Sequence, residues 1–316
     1  MKKFKKGLVL LISVFLAFSI VSCSNNKNDN IKESKNSSNI SEKTTYPLKL
    51  KDSFGREVTI EKEPSKIISL GPNVTEIIFA LNKGEKLIGR TEFCDFPKEV
   101  EKIDTVGTLQ TPNIEKIVEL KPDIVIASTH VTEECLNKLE QLGIKSIAFY
   151  GSEDFEGAYD VISNIGKVLN ANKEAHTIVD NMKKKVDSVQ EKIKGTDTPS
   201  VYYVIDFGKS GDYTPGKDTF LHKLINLAGA KNAGEDAVQW KYSLEKIIEK
   251  KPDIIICSKY YDTKKRLQQT EGYKDLEAIK NGKLFEIDNN MLDRQGPRLA
   301  DGLEELAKII HPDAFK

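Results

Sequence analysis

Glu115-Lys-Ile-Val-Glu-Leu-Lys-Pro-Asp-Ile-Val-Ile-Ala-Ser128 and Glu245-Lys-Ile-Ile-Glu-Lys-Lys-Pro-Asp-Ile-Ile-Ile-Cys-Ser258 are two copies of one pattern, identical at ten of fourteen positions and 130 residues apart. That spacing far exceeds the period of a solenoid, so each copy belongs to its own lobe. Ile114, Ile117 and Val118, like Leu244, Ile247 and Ile248, fall on one face of a helix. Pro122 or Pro252 then prevents the helix from continuing. The β-branched runs that follow, Ile124-Val125-Ile126 and Ile254-Ile255-Ile256, have the character of strands buried on both faces of a parallel sheet. Similar runs at 66–70, 146–149 and 201–205 supply further strands, and two α/β lobes follow.

Between the copies, residues 155–194 have helical periodicity, with Ala175, Ile178, Val179, Met182, Val186, Val189 and Ile193 spaced mostly by three or four. The pattern predicts a long helix as a stiff connection between the lobes. The expected organisation is a leader over 1–22, a tether over 23–46, an N-terminal lobe over 47–155, the interlobe helix over 156–198 and a C-terminal lobe over 199–316.

The N-terminus has its own logic. Lys2, Lys3, Lys5 and Lys6 precede an apolar run over 8–21 that stops at Ser22-Cys23, the layout of a secretory signal. Fourteen residues are too few for a spanning helix, which needs about 20. Ile20-Val21-Ser22-Cys23 resembles the bacterial lipobox, which makes Cys23 the lipidated first residue of the mature chain and places the protein on the outer face of the cell membrane. Residues 24–45 are almost entirely polar and cannot bury enough apolar surface to order themselves. As a flexible coil they span roughly 25 Å. Removal of the leader takes four lysines from a balance of 48 basic and 48 acidic residues, leaving a mildly acidic protein that is a poor match for nucleic acid. Cys94, Cys135 and Cys257 contain no CxxC and suggest no disulfide framework.

Several stretches together resemble the cobalamin, siderophore and haem branch of the substrate-binding proteins of ABC importers. They are Asp52-Ser-Phe-Gly-Arg-Glu-Val58, Ile68-Ser-Leu-Gly-Pro-Asn-Val-Thr-Glu-Ile77, Ile88-Gly-Arg-Thr-Glu-Phe-Cys-Asp-Phe-Pro97, Val106-Gly-Thr-Leu109, the two repeats, Gly216-Lys-Asp-Thr-Phe-Leu-His-Lys-Leu-Ile-Asn-Leu-Ala-Gly229 and Asp293-Arg-Gln-Gly-Pro-Arg-Leu299. The resemblance covers essentially the whole mature body in order. It implies two Rossmann-like α/β lobes joined by a long helix, with a shallow ligand cleft between them and little closure. Asn73 and Glu76 have the spacing of a capping box, which puts a helix start beside the strand ending at Leu70, a usual ligand position in α/β sheets.

The positions that match the family pocket are Phe93, Leu109, Phe207, Tyr213 and Trp240, with Arg294 and Arg298 near the end. Aromatic walls with a few arginines suit flat macrocycles and catecholates through stacking and charge-assisted hydrogen bonds. Trp240 is the only tryptophan and follows a loop-like stretch with Gly234 and Asp236. His130 and Met291 are the candidates for axial metal ligation. No intrinsic cofactor is implied, the ligand being itself a cobalt or iron chelate. The order of preference is a corrinoid, then a ferric siderophore, then haem, with Glu92-Phe-Cys-Asp-Phe-Pro97 resembling the corrinoid branch and Leu109 standing where a corrinoid binder can carry an aromatic.

Glu115 and Glu245 each follow a potential N-cap, Asn113 or Ser243, by two residues, and offset a helix dipole. In the resembled family, glutamates at these positions engage arginines on the two halves of the permease dimer, which works with its ATPase subunits. The other class of reading is a surface-anchored enzyme or adhesion domain that reuses the fold. Gly211-Asp-Tyr-Thr-Pro-Gly-Lys217 has the glycine and lysine spacing of a phosphate loop, but Asp218 stands where Ser or Thr should be and Pro215 removes an amide. There is no HExxH, GxSxG or paired-carboxylate signature, so the chain reads as a non-enzyme.

Overall fold

The computed structural model describes residues 43–209 and 211–316. Cys23, the leader and most of the expected tether lie outside the described residues. The N-terminal lobe begins with an antiparallel hairpin of β1 (Leu48–Lys51) and β2 (Glu57–Ile60). It continues through β3 (Ile67–Leu70), α1 (Pro72–Ala80), β4 (Leu87–Arg90), α2 (Ile114–Leu120), β5 (Ile124–Ala127), α3 (Glu133–Gln141), β6 (Ser146–Ala148) and α4 (Phe155–Val168). Helix α5 (Asn172–Lys192) leads to the C-terminal lobe. There follow β7 (Ser200–Val204), β8 (Asp212–Tyr213), α6 (Phe220–Leu227), β9 (Lys231–Asn232), β10 (Lys241–Tyr242), α7 (Leu244–Lys250), β11 (Ile254–Ser258), α8 (Thr263–Gln269), α9 (Glu277–Lys280), β12 (Leu284–Ile287), α10 (Asn289–Asp293) and α11 (Leu299–Ile310).

Both lobes carry a four-stranded parallel sheet, in the orders β4-β3-β5-β6 and β12-β11-β7-β9. Numbered by appearance within each lobe, the two orders are the same, 2-1-3-4, so the sequence repeat marks equivalent α2–β5 and α7–β11 units. Each repeated strand is buried on both faces. Ile124 and Ile126 enter one core while Val125 and Ala127 enter another, and Ile254 and Ile256 are likewise separated from Ile255 and Cys257. Burying each such side chain stabilises the fold by roughly 1.5–3 kcal/mol.

The Lys-Pro-Asp after each repeated helix does structural work. Lys121 and Lys251 take left-handed backbone, with φ of 49° and 46°, and end their helices. Asp123 Oδ2 accepts from the Ser65 N–H at 2.8 Å, the Ser65 hydroxyl at 2.7 Å and the Lys66 N–H at 3.0 Å. Asp253 Oδ2 accepts from the Ser200 N–H at 2.8 Å. Each aspartate therefore fixes the entry to the neighbouring first strand of its own sheet.

The expected single helix over 155–194 is two helices. Asn170, with φ of 52°, turns the chain between α4 and α5, and its side chain is used on both sides. Its Oδ1 accepts from the Thr44 N–H and its Nδ2 donates to Glu63, both at 2.8 Å. The Thr44 hydroxyl donates to the Lys167 carbonyl, and the Tyr46 hydroxyl to that of Val168. Residues 44–46, expected within the tether, are thus held against the body. Helix α5 alone has 21 residues, a length of roughly 31 Å at 1.5 Å per residue.

The lobes share a core. Ala175, Val179, Met182, Val189 and Ile193 of α5 belong to the same buried cluster as Ile67 and Ile126 of the first lobe and Ile256, Leu303 and Leu306 of the second. This continuity predicts that Leu303→Ala, at a fully buried site, lowers stability by about 2–5 kcal/mol. Urea unfolding followed by Trp240 fluorescence and by far-ultraviolet circular dichroism should shift together, and separate transitions would show that the lobes unfold independently.

Candidate functional site

At the switch point of the first sheet, β3 and β5 end side by side. A Cβ added to Gly71 would lie 2.8 Å from the Ser128 Cβ, so only glycine allows the approach. The chain leaves these ends through Pro72-Asn73 and Ser128-Thr129-His130, which form one wall of a cleft of about 660 Å³. Phe93, Leu109 and Tyr150 extend that wall, while Phe220, Trp240, Asn290, Asp293, Arg294 and Gln295 come from the second lobe. Phe93 is 52% exposed and Trp240 41% exposed, so two large apolar faces stand open at one place.

The Asp52-Ser-Phe-Gly-Arg turn sets Tyr150. Asp52 Oδ1 accepts from the N–H groups of Phe54 and Arg56, and Oδ2 accepts from the Arg56 guanidinium. The Ser53 N–H then donates to the Ala148 carbonyl at 3.0 Å, and the Tyr150 hydroxyl donates to the Ser53 carbonyl at 3.1 Å. Phe54 packs edge-on against the Tyr150 ring, with centroids 5.5 Å apart. On the other lobe Trp240 is held at φ of 68° directly after Gln239 at 51°. Two consecutive non-glycine residues in left-handed backbone are costly and persist only where the surroundings impose them.

Asn73 and Glu76 do not form a capping box. Gly71 caps α1 with no side-chain bond and Pro72 is the first helical residue, which leaves Asn73 one position inside. Glu76, 3% exposed, instead receives both arginines of the 293–299 stretch from the opposite lobe. Arg298 donates through Nε to Oε2 at 2.8 Å and through Nη2 to Oε1 at 2.7 Å, and Arg294 donates to Oε1 at 2.8 Å. Arg294 also meets Asp95 at 2.7 Å, while Asn290 donates to Asp95 at 3.2 Å and Gln295 to the Ser152 carbonyl at 2.7 Å. Burial opposes the charge on both guanidiniums, but Asp95 and Glu76 raise the pKa of Arg294, and Glu76 and Asp288 that of Arg298, which keeps both ionised.

The structure therefore brings Phe93, Leu109, Trp240, Arg294 and His130 around one cleft and leaves the other expected residues elsewhere. Arg298 lies on the far side of the clasp, with its guanidinium stacked 4.0 Å above the Phe96 ring. Phe207 is buried in the second lobe against Tyr273 and beneath Arg266, because its ring completes the core on that face of the sheet. Tyr213 is half-buried in β8, paired with Lys241. Met291 packs on α11, where a Cβ at Gly302 would lie 3.0 Å from its own. Among the described residues no group of three or more His, Cys, Asp or Glu side chains is placed to hold a metal ion. The phosphate-loop lookalike is a strand and turn whose Thr214 and Lys217 N–H groups are taken by the Trp240 and Glu235 carbonyls.

Tyr150, Phe220, Asn290 and Gln295 escaped the sequence reading. Tyr150 follows a predicted strand and Phe220 follows the Thr219 cap of α6, positions that carry a weak signal at most.

Asp293 opens onto the cleft yet has protein around most of it, and burial pushes its carboxyl above the usual range despite the Asn289 bond at 2.7 Å and the nearby Arg294. The cleft water that reaches it limits that effect. Among the described lining residues Arg294 is the only permanent cation, and it is committed to two carboxylates. Glu153 and Asp293 are acidic, and Asn73, Ser128, Thr129, Asn290 and Gln295 are neutral hydrogen-bonding groups.

Residues 67–291 match the model of the family described as periplasmic binding protein. The chain belongs to the periplasmic binding protein family. The ABC transporter substrate-binding lipoprotein YvrC of Bacillus subtilis, itself uncharacterized, is 36% identical over 279 residues, covering 86% of this chain and 88% of that one. A cobalamin-binding protein of Halobacterium salinarum is 23% identical over 283 residues, covering 84% and 75%. The haem-binding protein RhuT of Roseiflexus sp. RS-1 has the same fold, with a TM-score of 0.72 and 22% identity over 79% of this chain and 99% of that one. The protein is the substrate-binding component of an ABC transporter. Its family is extracytoplasmic, and no helix among the described residues is long and apolar enough to cross a membrane.

The clasp yields a direct prediction. Glu76→Ala leaves two buried guanidiniums without their shared carboxylate and should cost about 3–5 kcal/mol, whereas Asp95→Ala, at a carboxylate 53% exposed, should cost about 0–1 kcal/mol. Thermal or urea unfolding of the two variants measures the difference, and equal losses would refute the asymmetry.

Proposed function

We propose that the cleft binds a corrinoid and delivers it to the permease of an ABC importer. The observation that carries this reading is the charge balance of the cleft. Haem carries peripheral carboxylates and catecholate chelates of iron are polyanionic, so either one needs cations in the wall. A corrinoid offers a flat macrocycle edged by neutral carboxamides, which match the Asn, Gln, Ser and Thr side chains while Phe93, Tyr150, Phe220 and Trp240 supply apolar faces. The cobalamin-binding relative supports the same choice. His130, exposed at the cleft wall, is the residue that would serve a haem, and Met291 is not among the lining residues.

Glu115 and Glu245 are the docking residues of this reading. Asn113 accepts from the Lys116 N–H at 3.0 Å and Ser243 from the Lys246 N–H at 3.4 Å, which caps both helices without using either glutamate. Both side chains are exposed. The Glu245 N–H and the Ser243 hydroxyl hold the Glu245 carboxyl below its usual range, so it is charged at neutral pH. Paired charges on two lobes steer and orient a two-halved partner. A diacylated Cys23 would keep the body on the membrane, since two chains anchor stably where one is marginal.

Titration of Trp240 fluorescence with cyanocobalamin, haemin and a ferric tris-catecholate tests the ligand. Cyanocobalamin should bind at least about tenfold more tightly than either anion, and Trp240→Ala, which has no tryptophan and is measured by isothermal titration calorimetry, should weaken it by ~1–3 kcal/mol. Tighter binding of haemin or the catecholate would overturn the corrinoid reading. Glu115→Arg with Glu245→Arg should leave ligand affinity intact and abolish uptake in a reconstituted importer, and wild-type transport by that double variant would remove both residues from docking.

A further inference from the structure

Ser69 and Thr75 fix the start of α1 from inside the first lobe. The Ser69 hydroxyl donates to the Gly71 carbonyl at 2.9 Å, the Thr75 N–H donates to the same carbonyl at 3.0 Å, and the Thr75 hydroxyl donates to Ser69 Oγ at 2.8 Å. Both side chains are fully buried, so the Gly71 carbonyl is held toward the interior. Pro72 has no N–H to place. The N–H groups of Asn73 and Val74 precede the bond made by Thr75 and donate to no acceptor among the described residues. Gly71 is the N-cap and has no side chain to take them. They lie at the end of the helix that opens on the cleft, where Pro72 and Asn73 line it.

Two side chains gather at the same place. Ser128, the residue after β5, is 5% exposed and Asn73 is 7% exposed, and both line the cleft. A Cβ at Gly71 would lie 3.0 Å from Asn73 Oδ1 and 3.7 Å from Ser128 Oγ, so the two groups flank one point beside the helix start. Neither the Ser128 hydroxyl nor the Asn73 carboxamide has a hydrogen-bond partner among the described residues. Polar groups buried to this extent are ordinarily paired. The hydroxyl, the side-chain amide and the two backbone N–H groups are all donors without an acceptor. The amino end of this nine-residue helix adds roughly half a positive charge. Arg294 is committed to Glu76 and Asp95, which leaves the start of α1 as the part of the cleft suited to a negative oxygen.

We propose that the start of α1, with Asn73 and Ser128, is the subsite for a phosphodiester of the ligand. The assignment rests on the corrinoid reading and sharpens it. A complete corrinoid has neutral carboxamides around the ring and a single phosphodiester in its nucleotide tail, so one oxyanion subsite in a cleft of amides, hydroxyls and acids matches it. A carboxamide brings N–H donors along with its carbonyl, and the free groups here are chiefly donors themselves. Haem brings two carboxylates, of which only one could use the subsite. The protein therefore selects corrinoids that carry the phosphate over those that lack it.

Calorimetric titration of the mature chain with three corrinoids tests the subsite. They are cyanocobalamin, dicyanocobinamide, which lacks the phosphate and the nucleoside, and dicyanocobinamide phosphate, which lacks only the nucleoside. The double variant Asn73→Ala with Ser128→Ala removes two side-chain donors and keeps the backbone N–H groups. It should weaken cyanocobalamin and dicyanocobinamide phosphate by about tenfold or more and change dicyanocobinamide by less than about twofold. Any other pattern, such as equal weakening of all three or of none, overturns the subsite and leaves the corrinoid reading in place. Failure of all three to bind the wild type overturns the corrinoid reading instead. In that event, or if the variant does not fold or dicyanocobinamide binds too weakly to measure, nuclear magnetic resonance of the isotope-labelled wild type with inorganic phosphate decides the subsite. Saturable shifts of the Asn73 and Val74 amide resonances with phosphate and not with acetate support it. Amides that ignore phosphate, or that follow acetate equally, overturn it.

Discussion

A buried carboxylate on the first lobe, Glu76, is shared by two guanidiniums of the second, and the rest of the site depends on it. An unpaired charge at this depth would be strongly destabilising, so the Glu76 side chain demands both Arg294 and Arg298. That demand fixes the distance between the lobes at the cleft floor. It also withdraws both arginines from the ligand. The cleft is left with amides, hydroxyls, aromatic faces and two acids, and the proposed preference for a neutral, amide-edged macrocycle rests on that withdrawal.

The clasp acts together with the shared core. Helix α5 packs against both α4 and α11, and its apolar residues join the cores of both lobes. A hinge of crossing strands would allow the lobes to swing. A helix with one face buried in the shared core, together with the polar clasp between the lobes, resists such motion.

Much of this fold was legible in sequence because it is local. The repeat placed α2–β5 and α7–β11, and the β-branched runs placed β3, β6 and β7, since period and burial leave a mark within a dozen residues. Trp240 was legible for its singularity and its loop context. What the sequence could not reveal depends on partners far along the chain. Asn73 and Glu76 have capping-box spacing, but the partners of Glu76 lie 218 and 222 residues away, and Gly71-Pro72 already starts the helix. The same distance hid the fate of Arg298. Phe207 follows a strand as a cleft residue would, and only the packing of Tyr273 and Arg266 shows that its ring turns inward. The break at Asn170 has no proline or glycine to announce it; it is held by Thr44 and Glu63, neither of them near in sequence.

The central claim is that the clasp and the shared core hold the lobes at one separation whether or not ligand is present. Spin labels at Lys138→Cys on α3 and Gln268→Cys on α8, both exposed, with Cys135 replaced by serine, report that separation by double electron–electron resonance. The account predicts one narrow distance distribution, unchanged by saturating cyanocobalamin and broadened when Glu76 is replaced by alanine. A ligand-dependent shift in the wild type, or a Glu76→Ala distribution as narrow as the wild type's, would contradict it.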